Sequence, residues 1–494
     1  MSKEVLNQLY YNPAEFAEDY MNSPPKYLFG DSKLCCLLDT TNLEDMEPYQ
    51  RSKLCRGLNR GIVNQKGNNG VTYKIGLDGE YLILKTVHPG SLDIVYRDQP
   101  PTGLRNFNAS LEKSPTRCGF PDVDGLGYLG CDEFTNEMLV AGILDDFFSG
   151  DETPSYQGQT PGKKSNTSNG HLSGSQNGWD FHGYFKPYLR YHGSTICQDN
   201  IPPTYSGASP VGAHLMEWGD YGSLLDFVDN PDTADYRQLE KVVDSKGKSS
   251  LVEIINPEFL YIIIKQVIAT LHLLQATFAF NHGDLRANNI LVSSDSARGY
   301  HAGVDISGPF SCKISDYGKV SLTIPTEIGP TRIYNRSWFA DRYLYMMPFK
   351  PQINIQRSGD SSREEPFFII QDLLNVQLYS RIRHMGLPFY LSFDTYTFLM
   401  SLLSIPQYYY SFFSTPELVK KVWDPLWFGD DGRHIQDKLR LAVEKGRSDL
   451  PILDLLRGLR LRCDATQRLV MSLGSNEIPR RNEIPRNRPT SSMI

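Results

Sequence analysis

The sequence predicts an α+β protein in which a smaller strand-rich part precedes a larger helical one, with long insertions. Three observations carry that expectation. Residues 56–87 show glycine-punctuated alternation of apolar and polar residues. From Asn256 onward, apolar residues recur at helical spacing. Close to that change stands a crowded polar motif, "FNHGDLRANNILV", Phe280 to Val292, which runs directly into an apolar strand. Strands early and helices late give an α+β chain of two lobes.

In chain order, "NPAEFAEDYM" offers Asn12 as an N-cap, Pro13 as first helical residue and Glu15 as the reciprocal cap of a short acidic helix. "GVTYKIGLDGEYLILKTV" reads as two antiparallel strands joined at "LDGE". A Pro/Gly-rich loop region is expected between Pro89 and Asp132, and a helix over "CDEFTNEMLVAGILDDFF". Residues from about 150 to 180, "SGDETPSYQGQTPGKKSNTSNGHLSGSQNG", have almost nothing to bury and read as a disordered insertion. "GYFKPYLRYHG" and "GAHLMEW" read as strands, "NPEFLYIIIKQVIATLHLLQ" as a long buried helix, and "SFDTYTFLMSLLS" as another. The tail "NEIPRRNEIPRNRPTSSMI" is basic and has no apolar face, so a flexible end is expected.

Whole-chain properties bound the partners. Of 494 residues, 40% are hydrophobic and 22% charged, enough to build a sizeable core. The net charge of −7 argues against whole-surface nucleic-acid binding, and no direct nucleic-acid partner is expected. Eight scattered Cys with no CxxC pair match reduced usage, giving an expectation of a cytoplasmic protein. The greasiest windows are interrupted by Lys265, Asp394 and Pro406, so no membrane span is expected.

Phosphoryl transfer would account for the polar motif. That chemistry needs a carboxylate to orient the accepting hydroxyl and take its proton, oxygen ligands for Mg2+, a cation on the non-transferred phosphates of ATP, and a cover that excludes water. Asp284 supplies the carboxylate and Asn289, five residues on, one metal ligand. "CKISDYGKV" supplies Asp316 as the second, behind an alternating strand and before Tyr317 and Gly318. "KGNNGVTYKIGLDGEYLILK" supplies Gly67 and Gly70, whose backbone amides can approach phosphate, and then Lys85. A carboxylate must hold Lys85; Glu137 is the first choice, with Glu133 one turn earlier as the alternative.

Together these motifs resemble the protein kinase fold, in order, across most of the chain. "HGDLRANNILV" is similar to the "HRDLRAANILV" loop of some tyrosine kinases, "SDYG" to the metal-binding "DFG", and "LILK" to the "VAIK" strand. The resemblance implies a β-rich N-lobe over 51–215 and a helical C-lobe over 216–473, flanked by an acidic extension (1–50) and a basic tail (474–494). It implies a hinge at "LMEWGDYGSLLDFV", where the backbone of Glu217 and Gly219 meets adenine and Met216 guards the back pocket. It implies that Asp394 braces the catalytic loop and that Arg286 acts at the γ-phosphate. The insertions, acidic leader and length further resemble serine/threonine kinases of iridoviruses and related large DNA viruses.

The sequence departs from that pattern in several places. Gly283 stands where an Arg normally greets an activating phosphate, so no such phosphate is expected to be needed. Gly there is also common in small-molecule kinases of the aminoglycoside or choline kinase type, which leaves that acceptor class open. Gln65 replaces the first glycine of the phosphate loop, and a pseudokinase scaffold is the alternative this raises. After "DYG" there is no "APE"; "YMMPFKP" is the nearest stretch. The expected activity is an ATP- and Mg2+-dependent kinase acting on protein hydroxyls, of serine/threonine, tyrosine or dual specificity.

Overall fold

Residues 70–77 and 80–87 form the two antiparallel strands expected from their alternation, and a third strand precedes them. The computed structural model describes residues 62–66, 70–77, 80–87, 94–99, 126–149, 179–180, 187–197, 211–243, 249–327, 329–336, 393–427 and 464–474. Strand β1 (Ile62–Lys66) pairs with β2 (Gly70–Leu77), and β2 pairs with β3 (Glu80–Val87) from Leu77↔Glu80 to Gly70↔Val87. The expected helix at Asn12, the glycine Gly67, the "YMMPFKP" stretch and the basic tail lie outside the described residues.

The segment expected to be loop between Pro89 and Asp132 contains two strands, β4 (Val95–Arg97) and β5 (Gly127–Cys131), which corrects that expectation. Glycines hid β5. A Cβ on Gly130 would come within 2.6 Å of Arg336 Cγ and 2.9 Å of the Tyr334 hydroxyl. Glycine in this strand therefore marks a close approach by large neighbours rather than a turn. Helix α1 (Glu133–Ser149) follows at once. Asp132 caps it, accepting a 2.6 Å bond from the Thr135 N–H. Residues 134–144 are all buried. Such a helix lies inside the protein rather than on its surface.

Residues Trp179–Asp180 form a two-residue strand, β6, so the end of the expected disordered insertion is ordered against Tyr300–His301. Strand β7 covers Tyr191–Cys197, starting later than "GYFKPYLRYHG" suggested. Pro187 has no N–H to give a ladder, and the described residues before Tyr191, 187–190, make a single bridge, Tyr188↔Ile314. Strand β8 (Val211–Glu217) completes a five-stranded antiparallel sheet of order β1-β2-β3-β8-β7. Directly opposed residues share a face, so Lys85 and His214 project together, as do Ile83 and Met216.

A capping box between Ser223 and Asp226 opens a short helix, α2 (Leu224–Phe227). A two-stranded ribbon follows, β9 (Arg237–Val243) with β10 (Ser249–Ile255). Helix α3 (Pro257–Phe278) begins as its "NP" predicted: Asn256 accepts from the Glu258 N–H at 2.9 Å and Pro257 takes the first position. By length and a mean hydropathy of 1.5 this helix could cross a membrane, yet 67% of its most apolar window is buried inside the protein. Leu260, Ile263, Ile264, Val267, Ile268 and Leu271 build the core here.

After α3 come β11 (Ile290–Ser293), the short pair β12 (Tyr300–His301) and β13 (Val304–Asp305), and β14 (Ser311–Ile314), which pairs with β11. Strands β15 (Leu322–Thr326) and β16 (Gly329–Asn335) form a hairpin. Strand β16 also runs parallel to β5, Thr331↔Gly127 to Asn335↔Cys131, in a sheet of order β15-β16-β5-β4. Helices α4 (Phe393–Leu402), α5 (Pro406–Phe413) and α6 (Ala465–Gly474) follow. The mixed α and β content expected from the sequence is therefore what the chain forms.

Candidate active site

The polar motif that begins at His282 is held from below by one buried carboxylate. Asp394, at the start of α4, accepts the N–H groups of His282 (2.6 Å) and Gly283 (2.9 Å). Burial pushes the Asp394 carboxyl up to about 7, opposed by those two bonds. Gly283 has φ +74. A side chain there would be strained, which gives a backbone reason for glycine at this position. From the same helix, Ser401 Oγ accepts the Ala287 N–H at 2.7 Å. His282 donates Nε2–H to the Ser315 carbonyl (2.8 Å), leaving Nδ1 to accept from the Asp284 N–H (3.3 Å). Burial pushes its pKa down, so it is a neutral strut.

Asp284 is 6% exposed and carries two cations. Arg286 Nε lies 2.7 Å from Oδ1, and its Nη2 donates to Oδ2 at 3.0 Å. Lys319 Nζ also donates to Oδ2, at 2.7 Å. Burial would lower the Lys319 pKa, but Asp284 above all raises it. Asn289 donates its amide to the Asp284 carbonyl (2.7 Å). The Asn289 carbonyl takes the Ser315 N–H (2.9 Å), which brings it beside Asp316.

Asp316 sits in the left-handed region at φ 64, ψ 67. Such a conformation in a non-glycine residue is held by its surroundings and marks functional turns. The holder is Asn136 of α1, whose Nδ2 donates to the carbonyls of Tyr317 (3.1 Å), Gly318 (3.2 Å) and Val320 (2.8 Å). Asn335 Nδ2 adds a bond to Gly318 O at 2.6 Å.

Lys85 Nζ lies between two carboxylates, 2.7 Å from Glu137 Oε2 and 2.7 Å from Asp316 Oδ1. Burial alone would lower the ammonium's pKa; Asp316 and Glu137 together hold it well above its ordinary value. Burial would likewise raise Asp316, but Lys85 and Lys319 hold it well below the usual carboxylate range. Glu137 is 0% exposed, and burial pushes it up to about 7 despite Lys85. Of the two candidate partners, Glu137 is the one on Lys85. Glu133 instead packs on Gly318, where an added Cβ would come within 2.7 Å of its Cγ.

Strand β8 and the segment after it carry the residues expected to form a hinge. Met216 is 4% exposed, opposite Ile83 and Tyr191. The Glu217 side chain is bonded to Lys313 and accepts from the Arg190 N–H (3.1 Å), while its own N–H donates to the Arg190 carbonyl (2.9 Å). Gly219 lies against β11: a Cβ would meet Leu291 Cβ at 3.0 Å and the Val292 carbonyl at 3.3 Å. Gly70 begins β2.

The structure thus brings Lys85, Glu137 and Asp316 into one ion cluster and Asp284, Arg286 and Lys319 into a second. The Ser315 bond ties Asn289 to the turn that carries Asp316. Lys319, Asn136, Ser401 and His214 were not singled out from the sequence. Lys319 directly follows "DYG" and Asn136 directly precedes Glu137, so adjacency was the only signal available. Among the described residues no group of three His, Cys, Asp or Glu side chains forms a metal cage. One amide and one carboxylate fit Mg2+ instead, which keeps waters and substrate phosphates as its other ligands.

No family model matches the chain, and no curated protein matches it. Among solved structures, the BubR1 kinase domain is similar at 11% identity and a TM-score of 0.26, over 55% of this chain and 48% of that one. The chain thus spans about half the length of that structure.

Proposed function

We propose that this chain is an ATP- and Mg2+-dependent phosphotransferase with a bilobal, protein kinase-like architecture, acting on protein hydroxyls. The observation that carries this reading is the Lys85 ammonium, held between Glu137 and Asp316 from elements far apart in sequence. An ammonium fixed in that way, beside a metal-type carboxylate, suits the α/β-phosphates of ATP. Asp284 receives the acceptor's proton as the oxygen bonds to the γ-phosphorus and the bond to the β-phosphate oxygen breaks. Arg286 neutralises charge at the γ-phosphate, and the backbones of Gly70 and, in the sequence before it, Gly67 cover the phosphates. Met216, Glu217 and Gly219 border the adenine. Asn289 and Asp316 would hold Mg2+, which would offset the negative charge of the triphosphate.

The acceptor is a serine, threonine or tyrosine side chain. The resemblance to kinases of large DNA viruses rests on the insertions and the acidic leader. Cys131 and Cys312, buried and free, match work in a reducing cytoplasm. Incubation of the purified chain with γ-labelled ATP and a generic protein acceptor is expected to label the acceptor, and Asp284→Ala to abolish the label. Label persisting in that variant would overturn the assignment. Turnover with metabolites but not with proteins would move the acceptor to small molecules.

A further inference from the structure

Behind the Lys85–Glu137 pair lies a buried polar chain that the phosphoryl-transfer reading does not use. His214 of β8 stands directly opposite Lys85, is 0% exposed, and stacks on Phe134 of α1 with ring centroids 4.5 Å apart. Its Nδ1 is 2.5 Å from Ser194 Oγ, which is itself bonded to the Tyr191 hydroxyl. Its Nε2 points at Glu137, 3.7 Å from Oε2, with no other partner within hydrogen-bonding distance.

The proton positions follow from what each end of the chain can do. Burial, and then Lys85, push the His214 pKa well below its ordinary value, so the ring is neutral and carries one N–H. Burial pushes Tyr191 up, so it keeps its proton and donates. With the proton on Nδ1, a bare Nε2 lone pair would face the buried Glu137 carboxylate, a repulsive pairing. With the proton on Nε2, every donor runs one way: Tyr191 O–H to Ser194 Oγ, Ser194 O–H to His214 Nδ1, and His214 Nε2–H toward Glu137. The second tautomer leaves nothing unsatisfied except the 3.7 Å gap, which a small shift of a buried carboxylate closes.

Resting on the phosphotransferase reading, we propose that His214 is a positioning residue that presents Nε2–H to Glu137 and keeps that carboxylate ionised and turned to Lys85, with Tyr191 and Ser194 fixing its tautomer. The other groups facing Glu137 are Lys85, Asp316, Glu133, Tyr191 and Tyr317. Among the non-acidic ones, Lys85 and His214 are the two with a nitrogen directed at its oxygens.

Two measurements decide the matter. Nitrogen NMR of histidine-labelled protein, with the His214 signal identified by its loss in His214→Phe, is expected to show a neutral ring protonated at Nε2. A proton on Nδ1 overturns the proposal, whether or not the chain transfers phosphate, so this arm is independent of the enzymatic reading. In the transfer assay, His214→Phe keeps the ring stack without the N–H, and is expected to raise KM for Mg-ATP tenfold or more. His214→Gln restores an N–H donor and is expected to recover KM to within about threefold of wild type. A wild-type KM in a folded His214→Phe overturns the proposal. If His214→Phe fails to fold, Ser194→Ala serves both to identify the signal by its displacement and to test for a rise in KM.

Discussion

At the scale of single residues, Asp284 sets the sharpest expectations. Both of its oxygens face cations, Arg286 Nε at Oδ1 and Arg286 Nη2 with Lys319 at Oδ2. A carboxylate oxygen accepts more than one hydrogen bond, so an acceptor hydroxyl can join them while the cations hold the carboxylate in place. Lys319→Met removes one of those holders and is expected to lower kcat by tenfold or more while leaving KM for Mg-ATP near wild type, measured by steady-state transfer. An unchanged kcat would contradict this. Lys85→Met removes the ammonium proposed to meet the phosphates. A charge pair near 4 Å is worth about 4 kcal/mol at an effective dielectric near 20. At about 1.4 kcal/mol per tenfold, kcat/KM is expected to fall by hundreds-fold. His301 gives a pH test. Burial, and then His272, push it down to about 4 from an ordinary 6.5, and His272 Nδ1 lies 2.8 Å from its Nε2. The unfolded chain protonates first, so this residue's contribution is intact above about pH 6.5 and is lost as pH falls toward 4. Between pH 7 and pH 5 the urea midpoint of wild type should fall relative to that of His301→Phe; parallel profiles would contradict it. The sequence pointed to Lys85, Glu137, Asp284, Asn289 and Asp316 because each sits in a motif. His214, Asn136 and Lys319 carry no motif, since a buried partner is defined by what lies across from it.

At the scale of elements, α1 connects the two ion clusters. One side supplies Glu137 to Lys85, and Asn136 next to it holds three carbonyls of the turn after Asp316. Asn136→Leu keeps the volume and leaves those carbonyls without the amide. It is expected to cost about 1–3 kcal/mol of stability, the cost of stranding buried acceptors, and to raise KM for Mg-ATP as Asp316 loses its setting. Chemical denaturation and transfer kinetics check both parts. The helix is also tied from its N-terminal end, because β5 runs straight into it and pairs in parallel with β16. That sheet bonds the segment following Asp316 to the entry of α1 with no phosphate involved, in keeping with Gly283 in place of an arginine. Activity is accordingly expected to survive treatment of the purified chain with a phosphatase; its loss would contradict this role of the sheet. Of these elements, α1 and α3 were legible through their caps and apolar spacing. Strand β5 was not, because glycines that admit Tyr96, Tyr334 and Arg336 look like turn residues in one dimension, and β4 is only three residues long.

At the scale of the whole molecule, the mixed α and β content was legible from periodicity, but six strands, β11–β16, follow α3 where helices were expected to dominate. Which parts meet was not legible: Lys85 and Asp316 are 231 positions apart, and only the chemistry a phosphate site requires suggested that they touch. Lys85, Asn289 and Asp316 are proposed to converge on one metal-bound triphosphate. Calorimetric titration of the purified chain with ATP, in the presence and absence of Mg2+, measures that most directly. Binding is expected to strengthen with Mg2+ in wild type and to lose that dependence in Asp316→Ala. Binding indifferent to Mg2+, or equally Mg2+-dependent in the variant, would contradict it.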